Sequence, residues 1–212
     1  MLYLSAAAMF VCLASSSAAS PAKHQGYPLR EQADTTRPPF GEPTRFVTTH
    51  DAKGNAVFSP ILEGPLTTYE IPGMLYYEGY NTFDPAPVNL NNESDIKAVQ
   101  ARVAEEATIT FPKPGATILR YCDWPPGGTS PLHRHVTIDF GIVIFGSMEA
   151  IMDSGETRML KAGDVIVQRN TLHGWRNPSD TEWARVIFVI QGTHPTVVGD
   201  KVMVEDLTRF GT

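Results

Sequence analysis

The feature that most constrains the fold is a series of short β-rich segments in the second half of the chain, each followed by a turn sequence. From Ala116 onward these segments are "ATILRYCDW", "VTIDFGIVIFG", "MEAIMDSGETRMLKAG", "DVIVQRN", "HGWRN" and "EWARVIFVIQG". Asp153-Ser154-Gly155-Glu156 and Asn177-Pro178-Ser179-Asp180 have the composition of tight turns. Short strands at regular spacing, with no long helical period, predict an all-β sandwich or small barrel.

The first half of the chain predicts less regular structure. "RFVTTHDAKGNAVFSP" predicts a hairpin, because two strand-like runs flank a good turn sequence. "ESDIKAVQARVAEEA" predicts one short helix, because Ser94 can cap it and Ile96 and Val99 share a face. The domain limits we expect are a linker or arm over 20–45, a hairpin and extension packing on the barrel over 46–115, the barrel over 116–195, and a C-terminal tail over 196–212.

Residues 1–19 have the character of a secretory signal peptide. They are apolar and uncharged, their apolar core is too short to span a bilayer, and small residues near Ala19 could form a cleavage site. A cleaved leader would direct the protein to the secretory pathway. The missing positive charge near Met1 leaves an uncleaved tail, and a cytoplasmic protein, as the alternative.

The composition and net charge of the chain limit the classes of molecule that it is expected to bind. The chain has 212 residues, 42% hydrophobic and 19% charged, with a net charge of -6, which describes a globular protein. Because nucleic acids and anionic membranes attract clustered Lys and Arg, neither is expected as a partner. The expected partners are a small-molecule substrate and a second copy of the chain, since extended N-terminal segments could cover or exchange an open sheet edge in a homodimer.

A group of histidines and one aspartate forms the candidate site. His133, His135 and Asp139 are separated by two and four residues, so on a strand all three can point into one barrel. A second segment, "HGWRN", supplies His173. Three imidazoles and a carboxylate suit Fe, Mn, Zn, Ni or Cu, and the lack of a thiolate ligand argues against a purely structural zinc site.

Simpler explanations exist for the same side chains. Buried histidines are often only hydrogen-bonded, and Asp139 can fix a histidine tautomer without binding metal. Asn177 is expected to satisfy backbone groups at its turn, and Trp175 either lines the pocket or belongs to the core. Tyr121 is a candidate pocket wall. Arg169 either clamps an anionic group or lies in a salt bridge at the rim.

Two segments resemble the sequence motifs of the cupin superfamily, in its type-2 form. "GGTSPLHRHVTIDFGIVIFG", residues 127–146, resembles the first motif, and "GDVIVQRNTLHGWRN", residues 163–177, resembles the second. The resemblance covers about 46–191 and is strongest over 116–191. It implies a double-stranded β-helix, the cupin jelly-roll barrel, with an irregular N-terminal extension and a ligand site inside the barrel.

A narrower resemblance rests on "DSGETRMLKAGDVIVQRNTLHGWRNPSDTEWARVIFVI", which is similar to stand-alone cupin-domain oxidoreductases of fungal polyketide clusters. It implies oxidation of a polyketide-derived small molecule with a divalent transition metal, iron or manganese before zinc, nickel or copper. His133, His135, Asp139 and His173 would then be metal ligands, and Asp139 and His173 also catalytic groups. Asp139 stands where the motif usually has a longer glutamate. An isomerase, dehydratase, decarboxylase or cyclase, or a non-catalytic binding barrel, stays open.

Overall fold

Strands are the main secondary structure in this computed structural model, which describes residues 27–28, 30–31, 38–84, 86–105 and 108–210. The predicted signal peptide and most of the predicted arm lie outside the described residues. Within the described ranges, no helix has both the length and the apolar character needed to cross a membrane.

The strands are short, and most of the longer ones lie in the second half of the chain. In chain order they are β1 Tyr27–Pro28, β2 Arg30–Glu31, β3 Thr44–Arg45, β4 Thr48–His50, β5 Ala56–Phe58, β6 Gly64–Pro65, β7 Thr68–Ile71, β8 Met74–Asn81, β9 Thr108–Ile109, β10 Thr117–Trp124, β11 Thr129–His133, β12 Thr137–Phe145, β13 Ser147–Met152, β14 Thr157–Lys161, β15 Val165–Arg169, β16 His173–Arg176, β17 Ala184–Gly192, β18 Val197–Val198 and β19 Lys201–Val202. The helix α1 spans Ser94–Glu105, and 3-10 turns span Asn91–Glu93 and Thr208–Phe210. The predicted short helix is confirmed, with Ile96 and Val99 buried.

Two sheets build the barrel. The larger has the strand order β15-β12-β17-β10-β8-β7-β2, and the smaller has the order β11-β16-β13-β14. Trp124 and Val186 of the larger sheet share one hydrophobic core with Met148 and Trp175 of the smaller sheet. Antiparallel sheets that enclose a common core in this way confirm the predicted all-β, double-stranded β-helix.

Strand alternation decides which side chains face the interior. Along β12, every second residue from Thr137 to Val143 is buried, and the residues between them are more exposed. The alternation extends back through the connection to β11, so His133 and His135 are buried on the same side as Asp139. The alternation of side chains along the strand therefore places the polar side chains of His133, His135 and Asp139 in an apolar interior.

Two of the predicted turns are confirmed as hairpins, whereas Asn177-Pro178-Ser179-Asp180 connects β16 and β17, which lie in different sheets. Strands β4 and β5 pair around Asp51, whose carboxylate accepts hydrogen bonds from the backbone amides of Lys53 and Asn55 at 2.8 and 2.9 Å. Strands β13 and β14 pair around Gly155, which has a φ of 86°, a conformation that glycine adopts without strain.

Part of the N-terminal half is built into the barrel sheet. Strand β8 pairs with β10 over almost its full length, with Tyr77 opposite Tyr121. The helix α1 is tied to β8 by Tyr80, whose hydroxyl donates to the Asp95 carboxylate at 2.6 Å. The side chains of β8 therefore contribute to the interior beside those of the cupin-like segments.

Candidate functional site

A cavity of about 260 Å³ lies inside the barrel, lined by both sheets. Most of its wall is apolar, and aromatic rings form much of it. The structure places all four predicted site residues on this wall, namely His133, His135, Asp139 and His173. It adds Arg120, which the sequence did not single out.

His133 and His173 form the centre of the polar wall. Their ring centroids are 4.4 Å apart. The Nδ1 atoms lie 2.8 Å from the Pro131 carbonyl and 2.9 Å from the Thr171 carbonyl, respectively. Because a carbonyl only accepts, each neutral ring carries its proton on Nδ1 and leaves the lone pair on Nε2. Burial lowers the pKa of both rings, that of His173 to about 3, so each can act as an acceptor or metal ligand.

His135 lies beside this pair, with its ring centroid 5.0 Å from that of His133. The Phe111 ring stacks on it at 3.4 Å, and the Asn170 side-chain amide donates to the His135 carbonyl at 2.7 Å. Burial first, then the neighbouring histidines, lower its pKa well below the usual value. The neutral ring therefore makes only a weak polar contact with Glu205, whose carboxylate lies 3.6 Å from Nδ1.

Asp139 supplies the carboxylate of the wall. Burial raises its pKa to about 6, against the opposing effects of the Thr137 hydroxyl and the Arg120 charge. Its Oδ1 is buried and has no hydrogen-bond partner in the described part of the chain. The side-chain oxygen and nitrogen of Gln168, which lies opposite Asp139 on the neighbouring strand β15, are likewise buried without a partner among the described residues. Buried polar atoms in native proteins are almost always satisfied, so a water molecule or ligand is expected here.

The chemistry of these donors fits a transition metal. Three neutral imidazoles and a buried carboxylate oxygen without a partner are the ligand types that Fe, Mn, Ni, Cu and Zn accept. Within the ranges that the structure describes, however, no group of three or more His, Cys, Asp or Glu is already arranged to hold an ion.

Arg120 and Tyr121 are neighbours on β10, so their side chains point to opposite faces of the strand. Arg120 is 5% exposed and shares the cavity face with Cys122 and Trp124. The prediction that Tyr121 forms a pocket wall is wrong, because it lies on the opposite face and packs against a separate cluster around Leu66. Cys122 and Trp124 share the face of Arg120, but Leu119 and Tyr121 make the opposite face apolar too, so the strand pattern did not show which face is inward.

Three further predictions concern residues of the second motif. Trp175 belongs to the core and also lines the cavity, 5.9 Å from the His173 ring, so both of its expected roles apply. Arg169 is exposed and does not line the cavity, which excludes the clamp within this site. Asn177 is 1% exposed, and its side chain donates to three backbone carbonyls, as expected for a turn residue: those of Trp124, Pro125 and Glu182.

Comparison with known proteins identifies the family. Residues 120–190 match the family model described as Cupin domain. Phomopsin biosynthesis cluster protein C′ of Diaporthe leptostromiformis is 39% identical over 166 residues, which cover 78% of this chain and 87% of that protein. The chain therefore belongs to the cupin family.

Other relatives are cupin-domain proteins of fungi. Cupin-domain-containing oxidoreductase srdB of Neurospora crassa is 31% identical over 175 residues, covering 80% of this chain and 84% of that protein. Among solved structures, a putative ethanolamine utilization protein Q from Salmonella typhimurium is 13% identical with a TM-score of 0.40, covering 73% of this chain and 99% of that one. That structural likeness is too distant to inform the function. The relatives include proteins of fungal biosynthesis clusters, and some are named oxidoreductases.

Proposed function

We propose that the protein is a cupin oxidoreductase that acts, with a bound divalent transition metal, on a polyketide-derived small molecule in fungal secondary metabolism. The observation that carries the proposal is the convergence of three neutral imidazoles and a buried carboxylate on the wall of one largely apolar cavity. Relatives named cupin-domain-containing oxidoreductases support oxidation among the reactions open to such a site.

His133, His135 and His173 are the residues that would hold the metal, with Asp139 as a further ligand or as a proton carrier. The metal would supply Lewis acidity toward a substrate oxygen and, as iron or manganese, a change of oxidation state. The Nδ1 contacts of His133 and His173 with backbone carbonyls orient both rings and place the acceptor lone pair on Nε2. Such contacts fix the tautomer that a metal-binding histidine needs.

The aromatic side chains of the cavity would bind the substrate and exclude water. Trp124, Trp175 and Phe188 give the cavity an aromatic wall, with the Trp175 and Phe188 ring centroids 5.4 Å apart. Aromatic surfaces of this kind bind a flat or apolar molecule with little conformational cost. The partnerless Oδ1 of Asp139 faces the same interior and is placed to accept a proton from a bound molecule.

Cys122 is excluded as a nucleophile although it lines the cavity. Burial raises the pKa of its thiol to about 12, so the reactive thiolate is absent at neutral pH. Covalent catalysis through sulfur is therefore not part of the proposal.

A second candidate function is metal-free acid–base catalysis, as in an isomerase, dehydratase, decarboxylase or cyclase on the same substrate class. The observation that favours it is that Asp139, whose pKa burial raises to about 6, lines the same cavity as the neutral His173. His173 and Asp139 would then move the proton, and the barrel would orient the substrate.

Turnover in air and under anaerobic conditions separates the two candidates. We would measure substrate consumption, and in air also oxygen uptake, with polyketide-like aldehydes and quinols. The wild type and His173→Ala would be compared, with His194→Ala as a matched control, since His194 is exposed. The proposal predicts oxygen-dependent turnover that His173→Ala loses and His194→Ala keeps. Turnover that proceeds equally without oxygen and without metal would support the acid–base candidate. If the compounds bind but none is turned over, the result would indicate a non-catalytic binding barrel.

A further inference from the structure

Arg120 is a buried cation on the wall of the candidate active site. It is 5% exposed and lies in the cavity among mainly apolar side chains. Its guanidinium packs against two aromatic rings, with Cζ 4.6 Å from the Tyr76 centroid and 4.9 Å from the Phe111 centroid. A guanidinium that packs on aromatic rings can still use the N–H donors at its edge for polar contacts.

The donors of Arg120 are only partly used. Nη2 donates to the Thr110 carbonyl at 2.8 Å, and the guanidinium also interacts with the Tyr76 hydroxyl, whereas Nε is buried without a hydrogen-bond partner among the residues that the structure describes. In the part of the chain that the structure describes, no carboxylate forms an ion pair with this guanidinium. The nearby Glu78 accepts from the Tyr76 hydroxyl at 2.8 Å, and Glu78 and Asp139 interact with Arg120 through their charges without forming an ion pair. Leaving a cation in an apolar cavity without an ion pair is costly, and an anionic ligand would remove most of that cost.

The side chains that line the cavity around Arg120 indicate the chemical character of the rest of the ligand. Trp124, Trp175 and Phe188 lie on the same cavity, and their rings meet at centroid distances of 5.4–6.3 Å. A ligand that reaches Arg120 therefore has one charged end and an apolar or aromatic body. A planar carboxylate matches the fork of N–H donors on a guanidinium better than a tetrahedral or point-like anion of the same charge does.

We propose that the cavity binds an apolar or aromatic molecule bearing a carboxylate, and that Arg120 is the residue that selects for it. This inference names the substrate class of the proposed function and rests on the same cavity. Arg120 binds the carboxylate at one end, and the aromatic wall holds the body of the molecule beside the histidines.

The test uses pairs of ligands with the same shape and different charge. Cinnamate and cinnamamide, and 2-naphthoate and 2-naphthamide, are titrated into the full chain, and their dissociation constants are measured by isothermal titration calorimetry. The wild type is expected to bind each carboxylate about tenfold or more tightly than its amide, the range of a charge-assisted hydrogen bond. Arg120→Met is expected to bind both members of a pair equally. Arg169→Met, which removes an exposed arginine away from the cavity, is expected to keep the preference.

A second Arg120 variant and a chelator distinguish binding of the carboxylate by Arg120 from binding by a metal or from misfolding. If Arg120→Met does not fold, Arg120→Lys replaces it and is expected to lose most of the preference, because one ammonium group cannot replace the fork. A wild type without preference for the carboxylate in either pair overturns the proposal. A preference that survives in the Arg120 variants but disappears with a chelator also overturns it, since the metal would then hold the carboxylate and the proposed function would stand. A preference that depends on Arg120 in a protein without metal or turnover supports this inference while the proposed function fails.

Discussion

His133 and His173 lie directly opposite each other on the antiparallel strands β11 and β16, and their ring centroids are 4.4 Å apart. Each ring contacts, through Nδ1, the carbonyl two residues earlier in its own segment. The two cupin motifs therefore supply a matched pair of imidazoles with the same tautomer. This pair is the part of the site that the backbone positions most directly, because cross-strand partners in an antiparallel pair are close neighbours.

Asn170 is expected to hold His135 in place. Its side-chain amide donates to the His135 carbonyl at 2.7 Å, and its Oδ1 accepts from the Thr196 amide at 2.9 Å. Asn170→Gly removes both contacts and tolerates the positive φ of 54°. We expect a loss of about 1–3 kcal/mol in the free energy of unfolding and metal affinity lowered by about tenfold or more. Urea unfolding and metal titration measure the two effects, and unchanged values for both would contradict this role.

Phe111 is expected to act on both His135 and Arg120, since its ring contacts each of them. Phe111→Ala would admit water to the cavity and uncover one face of the guanidinium. We expect binding of cinnamate to weaken by about tenfold and stability to fall by about 1–2 kcal/mol. Phe46→Ala is the matched control, because Phe46 is 63% exposed and does not line the cavity. Equal dissociation constants for wild type and Phe111→Ala would show that the ring is not part of the site.

Asn177 is expected to stabilise the fold without taking part in the chemistry. The Asn177 side-chain amide donates to three carbonyls, so Asn177→Ala would remove a hydrogen bond from each of them. We expect the free energy of unfolding to fall by about 2–3 kcal/mol, compared with less than about 1 kcal/mol for Asn55→Ala in an exposed turn. Urea unfolding checks the difference. Two variants of equal stability would refute the structural role of Asn177.

The sequence predicted the barrel and the site wall because both depend on local alternation. A spacing of two residues places His133 and His135 on one face, and the same rule carries through to Asp139 on β12. The hairpin turns were predictable because glycine and aspartate occupy positions that only a few residue types favour.

The remaining parts of the site depend on contacts that no local pattern encodes. Strand β10 has apolar residues on both faces, so its pattern alone did not identify Arg120 as the inward residue and Tyr121 as the outward one. Phe111 lies outside the strands, and its position on His135 depends on the path of the chain between β9 and β10. Leu207 reaches the cavity from the C-terminal segment for the same kind of reason.

The most direct test of the metal site is the metal content of the full chain purified without an affinity-metal column. Wild type, His133→Ala, His135→Ala and His173→Ala would be compared by elemental analysis, with His50→Ala as the exposed control. We predict near-stoichiometric iron or manganese in the wild type and in His50→Ala, and its loss in the other three variants. A wild type that contains no transition metal and takes none up on reconstitution would contradict the metal site and leave acid–base catalysis by His173 and Asp139.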